Sequence, residues 1–300
     1  MNVATTWFEL RRRKELVRVA ESGAERARTT LEATRAFAEA GTLPRKDVFQ
    51  ALADAENAQI GVIQARNNVR LAETSLRNAM GLTPLTPIEA AETALPAPGA
   101  AEEAAQPVAQ LVAEAFAQRP DLKSSEANLD ATRRVVKLAR IDAGPQVVST
   151  FSTGFDVSPD TGYDSALLVG VSYPLFDAGA SRAAVREARA SLDQSERQLE
   201  LTRQGIAAEV ESAYLQRQEA QNRITAARSA LDAAQENFTA ATESQKEGVG
   251  TILDVITAQN QLVTAETNAV QAVYDYYNAD ARLQYAIGDN ETIASGGVAP

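Results

Sequence analysis

Residues 180–246 carry a helical hydrophobic period that is not interrupted by a single proline. At a rise of ~1.5 Å per residue, one helix of this length extends about 100 Å, roughly three times the width of a small domain. Such a length is typical of a coiled coil or a helical tube, because a compact core cannot cover it. The chain is therefore predicted to be mainly α, with long helices packed side by side.

The helix that follows, residues 252–287, alternates small and large apolar residues with the 3-4 spacing of a coiled-coil seam. Its seam is Val255, Ala258, Leu262, Ala265, Ala269, Ala272, Tyr276, Ala279, Leu283 and Ala286. The preceding helix has a matching seam at Ala220, Ile224, Ala227, Leu231, Ala234, Phe238 and Ala241. Because large side chains can face small ones, we predict a long antiparallel coiled-coil hairpin with a turn at 247–250 and a left-handed supercoil.

Two further regions are predicted to be helical. Residues 6–40 and 45–80 form a second pair of helices around a turn at 41–44, and residues 107–142 form a region interrupted at Pro120. Residues 82–107 contain five prolines and little periodicity. They are predicted to be a connector outside the coiled coil.

The helical hairpin occurs twice, at an offset of 207 residues, with Gly41 matching Gly248. From this glycine onwards the two copies align without a gap. The identical pairs are Asp47 with Asp254, Val48 with Val255, Ala51 with Ala258, Ala58 with Ala265, Gln64 with Gln271, Ala65 with Ala272, Ala72 with Ala279, Leu76 with Leu283, Ala79 with Ala286 and Gly81 with Gly288. The pattern predicts a duplicated structural unit.

The duplication also predicts what precedes the first copy. In the second copy, a β-hairpin and about 30 residues of helix come before the counterpart of Asn2. The chain is therefore expected to be truncated at its N-terminus, with a signal peptide and a first β-hairpin upstream. Residues 1–20 themselves lack the apolar core of a signal peptide.

The composition argues against several classes of function. The chain has no histidine and no cysteine, which removes the commonest general base, the thiolate nucleophile and the commonest metal ligands. A net charge of −11 argues against a nucleic-acid surface, and no run of about 18 apolar residues is present for a transmembrane helix. We predict no catalytic, cofactor-binding or metal-binding residue, and no cofactor.

Between Gly144 and Gly179 the hydrophobic period changes from helical to two residues. One predicted strand has Val147, Phe151, Phe155 and Val157 on one face, and Gln146, Thr150, Ser152, Gly154 and Asp156 on the other. The next has Tyr163, Ser165, Leu167, Val169, Val171 and Tyr173 on one face, opposite Asp164, Ala166, Gly170 and Ser172. The lengths and the aromatic-edged apolar face are typical of a membrane-crossing barrel strand. An amphipathic hairpin packed on a soluble core remains the alternative, although no other strands are predicted to complete a sheet.

Five short motifs follow one another along the chain: QRPDL at 118–122, GP at 144–145, YPLFDAG at 173–179, GVGTILDV at 248–255 and AIG at 286–288. Their order and spacing, together with the internal repeat, resemble the TolC-like outer-membrane efflux protein family over nearly the whole chain. The resemblance implies a passive exit duct for drugs, ions or proteins, and no enzyme. It would be the outer-membrane channel of a tripartite efflux or type I secretion system in a Gram-negative bacterium.

The resemblance further implies a homotrimer in outer-membrane lipid, with a shared β-barrel and a periplasmic α-barrel tunnel. Its implied partners are a periplasmic adaptor (membrane fusion) protein and an inner-membrane pump. This chain departs from the family pattern because it has one β-hairpin instead of two and lacks the leading helices of the first repeat. The first helical hairpin is predicted at 1–81, an equatorial connector at 82–107 and the helices leading to the barrel at 108–143. The transmembrane β-hairpin is predicted at 144–178, the second helical hairpin at 179–288 and a tail at 289–300.

The resemblance places the helix turns at the periplasmic entrance, where an adaptor docks, and marks a strand-to-helix transition. The entrance residues are Gly41, Asp47, Gly248, Gly250, Thr251 and Asp254, and the transition residues are Pro174, Phe176 and Gly179. A ring of carboxylates from Asp47 and Asp254 would favour cations. Alternatively, both are helix-start residues that complement the helix dipole. In TolC an arginine lies near this turn, whereas the matching position of this chain is Gly250. A charged latch of the TolC type is therefore not expected.

Two other classes of protein remain open from the residues alone. A periplasmic adaptor also carries a long helical hairpin, but it would need β-rich modules on either side. A soluble coiled-coil scaffold would not need the aromatic-edged strands or the motif that ends at Gly179. An enzyme is the weakest interpretation, because catalysis would depend on carboxylates or lysine alone.

Overall fold

The computed structural model describes residues 2–83, 86–88, 95, 107–156, 162–173 and 175–289. Within these ranges the chain has six α-helices and one two-stranded antiparallel sheet, which confirms the mainly α class. The elements are α1 Asn2–Glu39, α2 Arg45–Ala79, α3 Val108–Gln118, α4 Pro120–Asp142, β1 Gln146–Asp156, β2 Gly162–Ser172, α5 Ala180–Lys246 and α6 Ile252–Ile287. None of the described helices combines the length and the hydropathy that a transmembrane helix requires.

The helix boundaries follow local chemistry closely. Helices α5 and α6 begin and end at the predicted residues, and the region around Pro120 divides into α3 and α4. Arg119 has an extended backbone, with φ −63° and ψ 125°, and Pro120 is the first residue of α4. A residue before proline avoids the helical conformation, whereas a proline at the first helical position sacrifices no hydrogen bond.

The chain divides into two compact units, Met1–Ala115 together with Glu209–Pro300, and Phe116–Ala208. In the first unit, α6 is extensively buried. Nine of its ten predicted seam residues are buried, and Ala269 is half-buried. Near the turn, Ile252, Val255 and Ile256 pack against Phe238 of α5. On the α5 side of the predicted seam, Ala220 and Ile224 are buried and the other five residues are half-buried. The seam is therefore present, and it is more open on α5 than on α6.

Helix α6 has a second buried face, which the sequence did not predict. This face contacts the α1/α2 hairpin. The Tyr277 ring stacks on Phe8, with centroids 5.6 Å apart, and Glu266 forms an ion pair with Arg26 at 2.6 Å. Gln259, only 2% exposed, lies on the same side. Helix α6 is thus shared by both helical hairpins, and this sharing explains its burial.

In the second unit, α4 lies antiparallel to the first part of α5. The buried residues of α4 are Leu122, Leu129 and Val136, which are spaced by seven. Two polar contacts define the register of α4 against α5. Arg203 donates to the Glu126 carboxylate at 3.0 Å, and the hydroxyl oxygens of Thr132 and Ser195 lie 3.2 Å apart. The contact positions rise along α4 as they fall along α5, as antiparallel packing requires.

Candidate functional sites at the helix turns and the β-hairpin

The turns that follow α1 and α5 share one backbone geometry. Gly41 and Gly248 have φ of +77° and +76°, in the left-handed region that glycine adopts without a steric cost. In each turn the glycine amide donates three residues back and the next amide donates five residues back, which satisfies carbonyls at the helix end. These bonds are Gly41 to Ala38 (3.1 Å) and Thr42 to Phe37 (3.0 Å) in the first turn, and Gly248 to Gln245 (3.1 Å) and Val249 to Ser244 (3.0 Å) in the second.

The correspondence recurs at the ends of α2 and α6. Gly81 and Gly288 also have left-handed backbones, with φ of +68° and +91°. The Gly81 amide donates to Asn78 at 3.1 Å, and the Gly288 amide donates to Tyr285 at 3.0 Å. All of these donor and acceptor pairs are related by the offset of 207 residues. The predicted duplication is confirmed at the level of individual hydrogen bonds.

Contacts between the helices show that the two turns lie level. Thr30, 11 residues before Gly41, donates to Gln259, 11 residues after Gly248, at 3.4 Å. Asp54, 13 residues after Gly41, accepts from the same Gln259 at 3.0 Å. At ~1.5 Å per residue the turns differ in height by about 3 Å or less. The two copies of the helical hairpin therefore have their turns at nearly the same height.

The two turns differ in the group that donates a second hydrogen bond to the matching carbonyls of Phe37 and Ser244. The Phe37 carbonyl accepts a second bond from the Thr42 hydroxyl at 2.8 Å. The matching Ser244 carbonyl accepts its second bond from the Gly250 amide at 2.9 Å. A Cβ at Gly250 would lie 3.0 Å from the Gln245 nitrogen and 3.1 Å from Ser244 backbone carbon. Gly250 is therefore needed for a close backbone approach.

The two helix starts also differ. At α6, Asp254 accepts from the Thr251 amide at 2.9 Å and from its hydroxyl at 2.7 Å, and the Asp254 amide donates back to Thr251 at 3.3 Å. These bonds, the side-chain bond first, hold the pKa of Asp254 below its usual value. At α2 the cap position is Pro44, which supplies no side-chain bond, and Asp47 is buried, with only 8% exposed. The geometry favours the helix-start role for Asp254, while the carboxylate ring stays a prediction.

Strands β1 and β2 pair in one unbroken register, from Gln146 opposite Ser172 to Asp156 opposite Gly162. Directly opposed residues share a face of the sheet, so this register unites the two predicted apolar faces. The exposed fractions on that face are Val147 73%, Phe151 66%, Leu167 67%, Val169 64% and Val171 73%. The prediction of an exposed apolar face is confirmed, because none of these side chains lies in a soluble core.

The opposite face is less polar than predicted. Val148 pairs with Gly170 and Leu168 pairs with Thr150, so two apolar residues lie among the polar ones. Both are exposed, at 48% for Val148 and 71% for Leu168. Val157 and the predicted polar turn lie outside the described residues.

The chain passes from β2 to α5 through a residue that the sequence analysis did not assign. The Asp177 carboxylate accepts from the Gly179 amide at 2.9 Å, from the Ser181 amide at 2.7 Å and from the Ser181 hydroxyl. The hydroxyl bond is the largest of the causes that lower the pKa of Asp177 to about 2. Gly179 has φ +89°, as its predicted role requires, and Phe176 is 91% exposed. Pro174 lies outside the described residues.

Asp177 had a signal that sequence reasoning missed, because an aspartate just before a helix is a preferred cap. Gln259 and Asp54 had none, since their contact joins positions 205 residues apart. A groove of about 510 Å³ along α1 and α2 is lined mainly by charged side chains, unlike the apolar pockets that hold cofactors. Among the described residues, no group of three or more acidic side chains is placed to hold a metal ion.

Residues 111–289 match the model of a family described as outer membrane efflux protein. The chain is 29% identical to outer membrane efflux protein BepC of Brucella suis biovar 1 (strain 1330), over 86% of this chain and 56% of BepC. It is 27% identical to alkaline protease secretion protein AprF of Pseudomonas aeruginosa, over 83% of this chain and 53% of AprF.

Among solved structures, the outer membrane protein VceC of Vibrio cholerae superposes with a TM-score of 0.80 at 21% identity. The superposition covers 95% of this chain and 68% of VceC, and it establishes a shared fold. The chain thus spans little more than half the length of BepC and AprF.

Proposed function

This chain belongs to the outer membrane efflux protein family, and on that premise we propose that it forms part of the exit duct of a tripartite efflux or type I secretion system. Membership of the family places it in the outer membrane of a Gram-negative bacterium. Its role is that of a passive conduit for exported drugs, ions or proteins, and it performs no catalysis.

The observation that carries the proposal is the exposed apolar face of the β-hairpin. Each strand has 11 residues, about 36 Å of extended chain, which spans roughly 28 Å at a 40° tilt and matches a bilayer core. Moving its five large apolar side chains from water into lipid is worth about 1.5–3 kcal/mol each. A lone hairpin is marginal in water, so this surface favours a membrane over solvent.

A single hairpin leaves two strand edges unpaired, which hydrocarbon does not tolerate. Closure with other copies satisfies both edges. From the family to which the chain belongs, the assembly is proposed to be a homotrimer with a shared barrel in outer-membrane lipid. The long helices of the copies form the periplasmic tunnel. BepC is named for efflux and AprF for protease secretion, and both kinds of cargo are compatible with such a duct.

The level turns at Gly41 and Gly248 are proposed to form the periplasmic entrance, where a periplasmic adaptor docks and links the duct to an inner-membrane pump. Val249 supports this role, because it is 78% exposed at the second turn. Asp254 supplies an exposed carboxylate one turn further along. In a threefold assembly these carboxylates would surround the opening and favour cations over anions.

The test of the duct uses the full-length protein. Replacing Leu167 with Arg should block outer-membrane insertion, because a lipid-facing Arg costs about 2–4 kcal/mol at the bilayer midplane. The matched control Ala166→Arg changes the neighbouring residue on the other face, and it should insert and conduct. Membrane fractionation and planar-bilayer conductance measure the two properties. Equal behaviour of the two variants, or wild-type protein that stays soluble, would refute the membrane hairpin and favour the scaffold or adaptor alternatives.

The entrance is tested separately by replacing Asp47 and Asp254 with Asn. Cation selectivity in a planar bilayer should fall while the trimer still assembles, and the Asp254→Asn change should account for most of the loss because Asp47 is buried. Unchanged selectivity with a lower melting temperature would show that both aspartates are structural, and the exit duct would survive that result.

A further inference from the structure

The helix ends beside the β-hairpin are basic, although the chain as a whole carries a net charge of −11. Two exposed cations lie within about 8 Å of the hairpin end of α4, and three lie within about 14 Å of the hairpin end of α5, measured along the helices. This basic cluster is Lys137, Arg140, Arg182, Arg186 and Arg189. In the described part of the chain none of the five has an ion-pair partner, whereas nearby Arg133 pairs with Asp130.

The acidic residues of the same segment offset only part of the positive charge of the basic cluster. Asp142 accepts a bond from the Gln146 side chain at 3.3 Å. Asp177 is occupied by the first turn of α5, where it accepts the bonds of Ser181. With Glu187 the segment has three carboxylates against the five positive charges of the basic cluster, so it keeps an excess of positive charge.

The register of the second unit brings these cations to one end of the helix pair. Glu126 contacts Arg203, so stepping 14 residues along each helix towards the hairpin places Arg140 level with Arg189. Arg182 and Arg186 lie still closer to the strands. The charges on the two helices therefore reinforce each other at one height.

Two large apolar side chains stand beside this charge. Leu175 and Phe176 lie in the segment between β2 and α5, and each is 91% exposed. Apolar and aromatic side chains next to exposed Lys and Arg are typical of a surface at the boundary of a bilayer, where the rings enter the headgroup region and the cations face phosphate.

We propose that this end of the second unit binds the anionic phospholipid of the periplasmic leaflet, with Leu175 and Phe176 inserted between headgroups and the basic cluster on the phosphates. The inference rests on the proposed function, which places the hairpin across the outer membrane. The periplasmic leaflet is the one at which α4 and α5 leave the hairpin. Cations within a Debye length of about 8 Å contribute most, because more distant ones are screened.

The experiment titrates the complete protein in neutral detergent with phosphatidylglycerol and counts bound lipids by native mass spectrometry. Phosphatidylcholine, lipopolysaccharide and inorganic phosphate are the comparison ligands. We expect tighter binding of phosphatidylglycerol than of phosphatidylcholine, and no displacement by phosphate. Replacing all five cluster residues with Gln should weaken phosphatidylglycerol binding at least about tenfold. Equal affinity for phosphatidylcholine, preference for lipopolysaccharide, or displacement by phosphate would each overturn the proposal.

A matched control removes five exposed cations elsewhere. It carries Gln at positions Arg28, Arg35, Arg45, Lys46 and Arg70, and it should bind phosphatidylglycerol as the wild type does. If the control lost as much phosphatidylglycerol affinity as the cluster variant, the loss would be explained by net charge alone, and the proposal would be overturned. Should the cluster variant not assemble, Phe176→Ser provides the test, because a side chain 91% exposed is not needed for folding. It should weaken binding about threefold, and unchanged binding would count against the proposal.

Conductance in a planar bilayer of pure phosphatidylcholine separates this inference from the function on which it rests. Channels in that bilayer, combined with no preference for phosphatidylglycerol, would refute the lipid site and leave the exit duct intact. Failure to form channels in any bilayer would refute the exit duct itself.

Discussion

The turn at Gly41 and the turn at Gly248 are two versions of one design. Their glycines differ in φ by 1°, and their paired hydrogen bonds have the same lengths. Around this shared backbone the side chains have diverged. In the first turn the Phe37 carbonyl accepts its second hydrogen bond from the Thr42 hydroxyl. In the second turn the matching Ser244 carbonyl accepts it from the Gly250 amide.

The difference teaches that a duplicated unit keeps its backbone geometry and changes its polar chemistry. The positions that force φ into the left-handed region stay glycine in both copies, because other residues pay a steric cost there. At positions that only donate or accept a hydrogen bond the residue type can change, because a different group can form the equivalent hydrogen bond. The helix after the second turn begins with a capping box, whereas the helix after the first turn has a proline at its cap position.

The sharpest test of this comparison exchanges the third residue of the turns. Gly250→Leu should destabilise the protein by about 1–3 kcal/mol, because its Cβ meets backbone atoms that cannot yield. The matched change, Leu43→Gly, should cost only about 0.4–1 kcal/mol through added chain entropy. Hydrogen exchange of the turn amides and thermal unfolding measure both. Equal losses would mean that the close approach at Gly250 is unimportant.

The shared backbone conformation predicts that replacing Gly41 or Gly248 destabilises the protein by the same amount. Gly41→Ala and Gly248→Ala should each cost about 1–2 kcal/mol, because both place an L side chain in the left-handed region. Gly61→Ala is the control, since Gly61 lies within α2 with open space around it and should gain stability instead. Denaturant unfolding of the three variants gives the comparison. A clear difference between Gly41 and Gly248 would break the one-design interpretation.

The capping box predicts an effect at only one helix start. Thr251→Ala should cost about 1 kcal/mol, because the first turn of α6 loses its side-chain acceptor. A double-mutant cycle with Asp254→Ala should reveal coupling, whereas the matched cycle of Pro44→Ala with Asp47→Ala should reveal none. Coupling of similar size in both cycles would show that the two helix starts have not diverged.

The smallest expected effect is a pH dependence confined to the second turn. The pKa of Asp254 is lowered from about 3.8 by bonds from Thr251, so its contribution is complete above that value and is lost as the pH falls through the lower folded pKa. The melting-temperature difference between wild type and Asp254→Asn should be constant near neutral pH and shrink below pH ~4. In a Thr251→Ala background the difference should be smaller throughout. A difference that persists unchanged into strong acid would contradict this account.

Local signals in the sequence were sufficient for most elements. The bounds of α5 and α6 were predicted because the 3.6-residue period begins and ends cleanly at glycine-containing turns. The faces of β1 and β2 were predicted because alternation is a local property, and the register confirmed them. The exceptions on the second face, Val148 and Leu168, are residues that local alternation does not explain.

Contacts between distant positions were not predictable in the same way. Nothing in the composition of α6 distinguishes the side of Gln259 from an ordinary polar flank, yet this residue is buried against Asp54 and Thr30. The candidate entrance shows the same limit. Asp47 and Asp254 are equivalent in the repeat, but one is buried and the other is exposed.

The sequence by itself determined the helices, the two glycine turns, the β-hairpin and the duplication, because each follows from the spacing of residues close together in the chain. Only the tertiary structure decided that α6 serves both helical hairpins, that the two turns lie level, and that equivalent aspartates have different surroundings. Those features depend on which helices meet and at what height. That choice is made by contacts between residues more than 200 positions apart, whose partners no local period can specify.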